Sequence, residues 1–193
     1  MKKKRIYIFI FCIVFALLLA LSPLIINRIF KHIYPIKYEE FVMKYSEKYN
    51  IEPSLIYAVI KTESGFDKNA KSNKNAVGLM QITEETFNWL IIKTPENDNN
   101  LSFEDIVDPE NNIRLGTFLI KLNLEYYDDE NTAICAYNAG RGKMDSWLSD
   151  IRYSKDGKKI DIVPYEETKN YLSKIMSVRK IYNQLYFDEG SVN

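Results

Sequence analysis

The sequence predicts a mostly α-helical domain with a small irregular loop and strand region, preceded by one transmembrane helix. Three observations carry that reading. Apolar residues recur at helical spacing in several separated stretches, as Leu55, Ile56, Val59 and Ile60 do. Helix-start signals such as Asp108-Pro109 stand directly before those stretches. The third is an uncharged run, Ile6 to Ile26, close behind the amino terminus.

That run has twenty-one residues, fifteen of them Leu, Ile, Phe or Val. As a helix it would be about 31 Å long, the thickness of a bilayer's hydrocarbon core. A cleaved signal peptide is the competing expectation. Its apolar region is usually shorter, and the small-x-small site Ala20-Leu21-Ser22 is followed by Pro23, a poor residue after a scissile bond. The basic cluster Lys2 to Arg5 before the span, against sparse Arg28 and Lys31 after it, predicts a single pass through a cell membrane, with a cytoplasmic N-terminus and everything beyond the span outside. The expected organisation is a basic tail (1–5), an anchor (6–26), a stalk (27–37) in which Pro35 discourages a continuous helix, and one domain (38–190).

Within the domain, Tyr38 to Tyr49 places Phe41, Val42 and Tyr45 on one helical face, and Pro53 suits the first turn of the next helix. Phe66 to Val77 is polar and aperiodic, predicting a loop with a short irregular strand pair closed by Gly78. Thr83 can cap a helix through Trp89 and Leu90, followed by a polar loop over Lys93 to Asn100. Asp108 and Pro109 open a helix carried to about Tyr127 by Ile113, Leu115, Leu119, Leu122 and Tyr126. Asn131 to Tyr137 reads as a short helix stopped by Asn138-Ala139-Gly140, with another around Trp147. Pro164 is expected to start the last helix, with Tyr171, Ile175, Val178, Tyr182 and Leu185 on its buried stripe.

Formal charge is zero overall, but six basic residues precede position 35 and no acid does, leaving 20 basic against 26 acidic groups, a net of −6. No basic run in the outer domain could track a phosphate backbone, so nucleic acid is not an expected partner. Cys12, in the span, and Cys135, in a predicted helix, are not expected to pair, and Phe11 before Cys12 speaks against lipoprotein processing. A single histidine, His32, and no Cys/His cluster give no metal-ligand spacing; no cofactor is expected.

Glu63 extends the apolar stripe of its helix, four residues after Val59 and three after Ile60, in the last turn before Ser64-Gly65. Partial burial and the negative end of the helix dipole both favour the protonated form of a carboxyl there, which suits a general acid near neutral pH. A Glu at a helix end also commonly packs its stem and extends its head to water.

Together with Gly78-Leu79-Met80-Gln81-Ile82, Asp108-Pro109-Glu110-Asn111-Asn112-Ile113, Ala136-Tyr137-Asn138-Ala139-Gly140 and Pro164-Tyr165-Glu166-Glu167-Thr168, the Glu63-Ser64 pair resembles the lytic transglycosylases of the soluble-lytic-transglycosylase type. These belong to the goose-lysozyme-like group, and the likeness runs from about Tyr38 to Tyr186. It implies a lysozyme-like α+β fold and cleavage of peptidoglycan glycan strands between N-acetylmuramic acid and N-acetylglucosamine, with a 1,6-anhydro product and Glu63 as the catalytic acid and base. It further implies substrate contacts by Ser64, Ser72, Gly78, Met80, Gln81, Tyr137, Asn138 and Glu167. Read without the family, Ser72 is a turn residue, Met80 core, Gln81 surface, Tyr137 a core aromatic, Asn138 a helix cap and Glu167 a dipole partner. Asn75 stands where many relatives have Gly, and Thr83-Glu84 where Met-Pro is common; Asn tolerates positive φ best. A hydrolytic muramidase using the same Glu63 with water is the nearest alternative, and an inactive glycan-binding module on a membrane anchor is the alternative from another class.

Overall fold

The computed structural model describes residues 2–96 and 100–188, except for most side chains within residues 2–20. Helix α1, Lys2–Ile33, runs through Pro23. It stops two residues short of Pro35, because a proline disfavours helical backbone in the residue before it. Residues 27–33 of the expected stalk are thus helical, since Pro35 acts only on its immediate neighbour. Beyond the helix, Tyr34 and Ile36 pack against the domain's main core. Tyr186 donates to the Tyr34 carbonyl at 2.8 Å and Tyr182 to the Pro35 carbonyl at 3.2 Å. Among the described residues no helix is long and apolar enough to cross a membrane. Most side chains of the expected span, and Cys12 with them, lie outside those residues.

Helix α2, Glu39–Tyr49, buries Val42, Tyr45 and Tyr49 and ends on Asn50, whose φ of 53° lets its N–H reach back to the carbonyls of Ser46 and Glu47. Helix α3, Pro53–Glu63, begins on Pro53 as expected and buries every residue from Ser54 to Ile60. The sequence suggests one apolar stripe. The helix is instead interior on all sides, because α2 and α8 both pack on it. Each fully buried Leu or Ile in such a helix stabilises by about 1.5–3 kcal/mol relative to exposure.

After α3 the chain turns through Gly65 and Phe66, both at positive φ, into an irregular segment with isolated bridges between Lys71 and Val77 and between Val77 and Ile82. Helix α4, Glu84–Lys93, is capped by the Thr83 side chain, which accepts from Thr86 N–H. A 3₁₀ turn, Phe103–Val107, leads to α5, Pro109–Tyr126, where Asp108 accepts from Asn111 N–H. Here Asn112 to Phe118 are all buried, whereas Tyr126, at the helix end where the sequence places it, is 59% exposed. The helix passes through the core and emerges at its C-terminal end.

Helices α6, Glu130–Ala139, and α7, Arg141–Leu148, meet at Gly140, whose φ of 82° makes the corner. They enclose a second, smaller core of Tyr127, Ala133, Cys135, Met144, Trp147 and Leu148. The last helix, α8, Glu166–Tyr182, starts two residues after Pro164 and buries Tyr171, Ile175, Val178 and Tyr182 as predicted; Leu185, in a closing π turn over Asn183–Phe187, is half-buried. Helices α3 and α8 form the most extensive pair in the molecule. They run antiparallel, since Glu63 meets Tyr171 while Glu52 meets Arg179.

Candidate active site

Glu63 is the last residue of α3, and its carboxyl lies mostly buried at the junction with α8. Tyr171, itself only 8% exposed, donates to Glu63 Oε1 at 2.7 Å. Burial pushes the carboxyl up to about 7, partly opposed by the Tyr171 hydrogen bond and the Lys174 ammonium. A group with that affinity can both give and take a proton near neutral pH. Asp67 does not share this face: α3 ends at Glu63, and Asp67 is exposed and accepts from Asn69 N–H.

The Gly78–Gln81 turn is pinned beside the acid from two sides. Ser64 Oγ donates to the Leu79 carbonyl at 2.8 Å, and Tyr137 donates to the Met80 carbonyl at 2.8 Å. Burial first, and then the nearby Glu63 carboxylate, keep the Tyr137 and Tyr171 phenols protonated. Beneath the turn lies Asn112, wholly buried, which accepts from Met80 N–H at 2.7 Å and donates to the carbonyls of Val77 and Ile106. Gly78 is required at this contact: its φ is +83°, and a Cβ there would fall 2.1 Å from Asn112 Nδ2.

The expected site residues divide on these contacts. Glu63, Ser64, Gly78, Gln81 and Tyr137 come together around one turn. Gln81, at a φ of 49°, is half-buried and donates to the Gly78 and Ala70 carbonyls. Met80 has a fully buried side chain, and a Cβ on Gly116 would sit 2.4 Å from its sulfur, so it supports the turn from below. Ser72 accepts from the Lys74 and Ala76 N–H groups and shapes the loop in which Asn75 adopts the positive φ its residue type tolerates. Asn138 accepts from Thr168 at 2.8 Å, tying α6 to the start of α8. Glu167, in the first turn of α8, has a side chain 72% exposed and 3.8 Å from Lys74 Nζ.

Two residues at the centre escape a reading of the sequence for chemistry. Tyr171 shows there only as a member of α8's apolar stripe. Asn112 lies within a recognised segment, and the signal that marks it is a polar residue on the face that carries Leu115 and Gly116 three and four positions on. Among the described residues no group of three or more His, Cys, Asp or Glu side chains could hold a metal ion.

A helical domain with a mostly buried carboxylic acid of raised proton affinity at the end of its central helix, beside a pinned polar turn, is of the lysozyme-like class. The profile of the family described as the transglycosylase SLT domain matches residues 40–161, and the chain belongs to that family. Membrane-bound lytic murein transglycosylase C of Serratia proteamaculans is 31% identical over 168 residues, an alignment covering 77% of this chain and 47% of that protein. The protein of the same name from Pectobacterium atrosepticum is 30% identical, with the same coverage. The chain thus spans about half the length of these curated relatives. Among solved structures, the 70 kDa soluble lytic transglycosylase of Escherichia coli superposes with a TM-score of 0.70 at 25% identity, covering 84% of this chain and 26% of that one. An inactive mutant of the lytic transglycosylase Slt from Pseudomonas aeruginosa does so with a TM-score of 0.67 at 26% identity, covering 83% of this chain and 26% of that one.

Proposed function

We propose that this protein is a membrane-anchored peptidoglycan lytic transglycosylase that cleaves the β-1,4 bond between N-acetylmuramic acid and N-acetylglucosamine. The observation that carries the reading is Glu63 itself, a mostly buried carboxyl held near neutral affinity beside a pinned polar turn. The protonated carboxyl gives its proton to the glycosidic oxygen as the bond to C1 breaks. The carboxylate so formed takes the proton of the muramyl C6 hydroxyl, whose oxygen attacks C1 and closes a 1,6-anhydro ring. No water is consumed and no cofactor is needed. Most glycosidases divide such work between two carboxyl groups; here the substrate's own N-acetyl group takes the second one's place in stabilising the intermediate. Tyr171 holds Glu63 in one orientation, and Tyr137, Gln81 and Asn138 position the saccharide.

Mass spectrometry of digested glycan strands tests the reaction, because anhydro ends and reducing ends differ by one water. Anhydro-muramyl ends are expected; reducing ends alone would make the protein a hydrolytic muramidase using the same Glu63.

The anchor is the uncharged run Ile6 to Ile26 within α1, with the domain outside a cytoplasmic membrane. The curated relatives named membrane-bound support an association with a membrane. Protease added outside intact protoplasts should remove residues 38–193 and spare the N-terminus. A freely secreted mature protein would show that the run is cleaved.

A further inference from the structure

The outer end of α1 has two unlike sides. On one, the domain grips it. Tyr34 N–H donates to the Phe30 carbonyl at 2.8 Å, and the Tyr34 ring stacks on Phe30 and meets Tyr182 edge-on, 5.9 Å between centroids. Lys31 lies over the Tyr186 ring at 5.3 Å, and Lys61, from α3, over the Tyr34 ring at 5.6 Å. With the Tyr182 and Tyr186 hydroxyls on the carbonyls of Pro35 and Tyr34, and Ile36 packed against the core, the passage from helix to domain is fastened residue by residue. A chain so held does not act as a swinging tether.

The other side is apolar and bare. Ile26, Ile29 and Ile33 recur three and four residues apart and so form one stripe. At roughly 100° per residue the stripe is turned by about 140–160° from Lys31, away from the domain. All three side chains are exposed, at 46% to 52%. Arg28 and His32, four residues apart and also exposed, flank the stripe. An apolar stripe bordered by cationic and polar side chains is what a helix presents to the boundary between headgroups and acyl chains.

Length and charge agree with that partner. If the Ile6 to Ile26 run fills the hydrocarbon core, the seven residues beyond it rise about 10 Å, enough to cross the outer headgroup layer. Arg28, Lys31, Lys37 and Lys61 gather at the junction, whereas the chain beyond position 35 is net acidic, its first acids being Glu39 and Glu40. A positive collar on an otherwise negative domain is complementary to an anionic lipid surface.

We propose that residues 27–33 lie in the headgroup layer of the membrane's outer face, with Ile26, Ile29 and Ile33 towards the acyl chains and Arg28 and His32 at the lipid phosphates, and that the clasp at residues 34–36 seats the domain directly on that surface. The inference rests on the anchor reading above and goes beyond it. It restricts the active site to glycan lying against the membrane, because no free stalk lifts the domain to more distant strands.

The test uses the full chain with Cys12→Ser, reconstituted in vesicles containing phosphatidylglycerol; Cys135 is buried and stays. Nitroxides attached through Ile29→Cys or Ile33→Cys should respond more to lipid-soluble oxygen than to an aqueous nickel chelate, and one attached through Glu40→Cys should do the reverse. Labels at Ile29 and Ile33 as open to the chelate as the one at Glu40 would overturn the interfacial seat. Spin–spin broadening between copies at those two positions would assign the stripe to a second copy of the chain and overturn it equally. For the clasp, a flexible insert of twenty Gly and Ser residues between Ile33 and Tyr34 adds a reach of about 25 Å. Energy transfer from a donor at Glu40→Cys to headgroup-labelled lipid should then fall severalfold; transfer that the insert leaves unchanged would overturn the clasp. The mass of the chain recovered from cell membranes separates the two readings. Loss of the Ile6 to Ile26 run would overturn the anchor and this inference together, whereas an intact chain whose labels report water overturns this inference alone. None of these readouts depends on glycan cleavage.

Discussion

Helices α3 and α8 carry both the candidate site and, at their opposite end, a cluster of aromatic rings, and the two ends use tyrosine differently. At the far end Tyr57 stacks on Tyr182 at 5.2 Å, and Tyr182 on Tyr186 at 6.0 Å, with Phe187 against Tyr57. There the hydroxyls of Tyr182 and Tyr186 are engaged by the backbone carbonyls of Pro35 and Tyr34. At the near end the Tyr171 hydroxyl is engaged by a carboxyl group. Tyr171 and Tyr182 lie on one stripe of one helix, about 16 Å apart along its axis. One fastens the chain leading from α1; the other adjusts the affinity of an acid. Position on the stripe does not distinguish these roles. The partner across the helix pair does.

The sharpest way to break the comparison is to remove the acid. Glu63→Gln keeps the shape and the Tyr171 contact but cannot transfer a proton, and general acid–base catalysis is worth ~10²- to 10⁴-fold. Turnover of purified glycan strands should fall by at least that order with binding retained; an active variant would strip Glu63 of its catalytic assignment.

The opposite end should respond in stability instead. Tyr182→Ala removes a fully buried ring, and comparable aromatic truncations cost about 3–5 kcal/mol. Denaturant unfolding should show that loss, while activity per folded molecule stays near the wild-type value. A drop in specific activity larger than the folded fraction explains would mean that the two ends are coupled.

A third contrast is in pH dependence. Because the Glu63 carboxyl sits at about 7 when folded and near 4.5 when unfolded, the folded state binds more protons between those values. The contribution of Glu63 to stability therefore falls as pH rises from about 4.5 to about 7, by an amount on the order of 3 kcal/mol, and is constant on either side of that window. Glu63→Gln should lose this dependence and exceed the wild type in stability above pH 7. Activity should decline through the same upper value as the acid ionises. Since the Tyr171 hydrogen bond favours the carboxylate, Tyr171→Phe should move that decline to higher pH. A profile that stays in place would show that Tyr171 does not tune the acid.

The smallest effect is expected at Tyr137. Tyr137→Phe loses one hydrogen bond to the Met80 carbonyl, about 1 kcal/mol or less, so the thermal midpoint should shift by only a few degrees while activity falls. Large unfolding with normal specific activity would place Tyr137 with the fastening tyrosines.

Much of the helical framework is legible because its signals act within a turn or two of the chain. Thr83 before α4 and Asp108 before α5 each accept from a backbone N–H three residues on, Pro53 and Pro109 lack an N–H that the first turn would leave unpaired, and each helix begins where they say. The placement of Glu63 at the buried end of α3 follows from the same local spacing. The irregular segment before Ile82 and the positive φ at Asn75 are read from composition and residue type alone.

What only the tertiary structure decides involves residues far apart in sequence. The Tyr171–Glu63 pair joins positions 108 residues apart, and Asn112 reaches the Gly78 turn across more than thirty. No periodicity encodes such meetings, because they depend on which faces two helices bring together. For the same reason Met80 turns out to be support beneath the turn, and α3 is buried all round where its pattern shows one stripe. The segment Tyr34 to Ile36 likewise packs on the domain. By itself the sequence determined where α3, α4 and α5 begin and which acid sits at a buried end, since capping and amphipathic spacing are local. The partners that set that acid's proton affinity were decided by packing between distant segments, where desolvation and a single well-placed hydroxyl act.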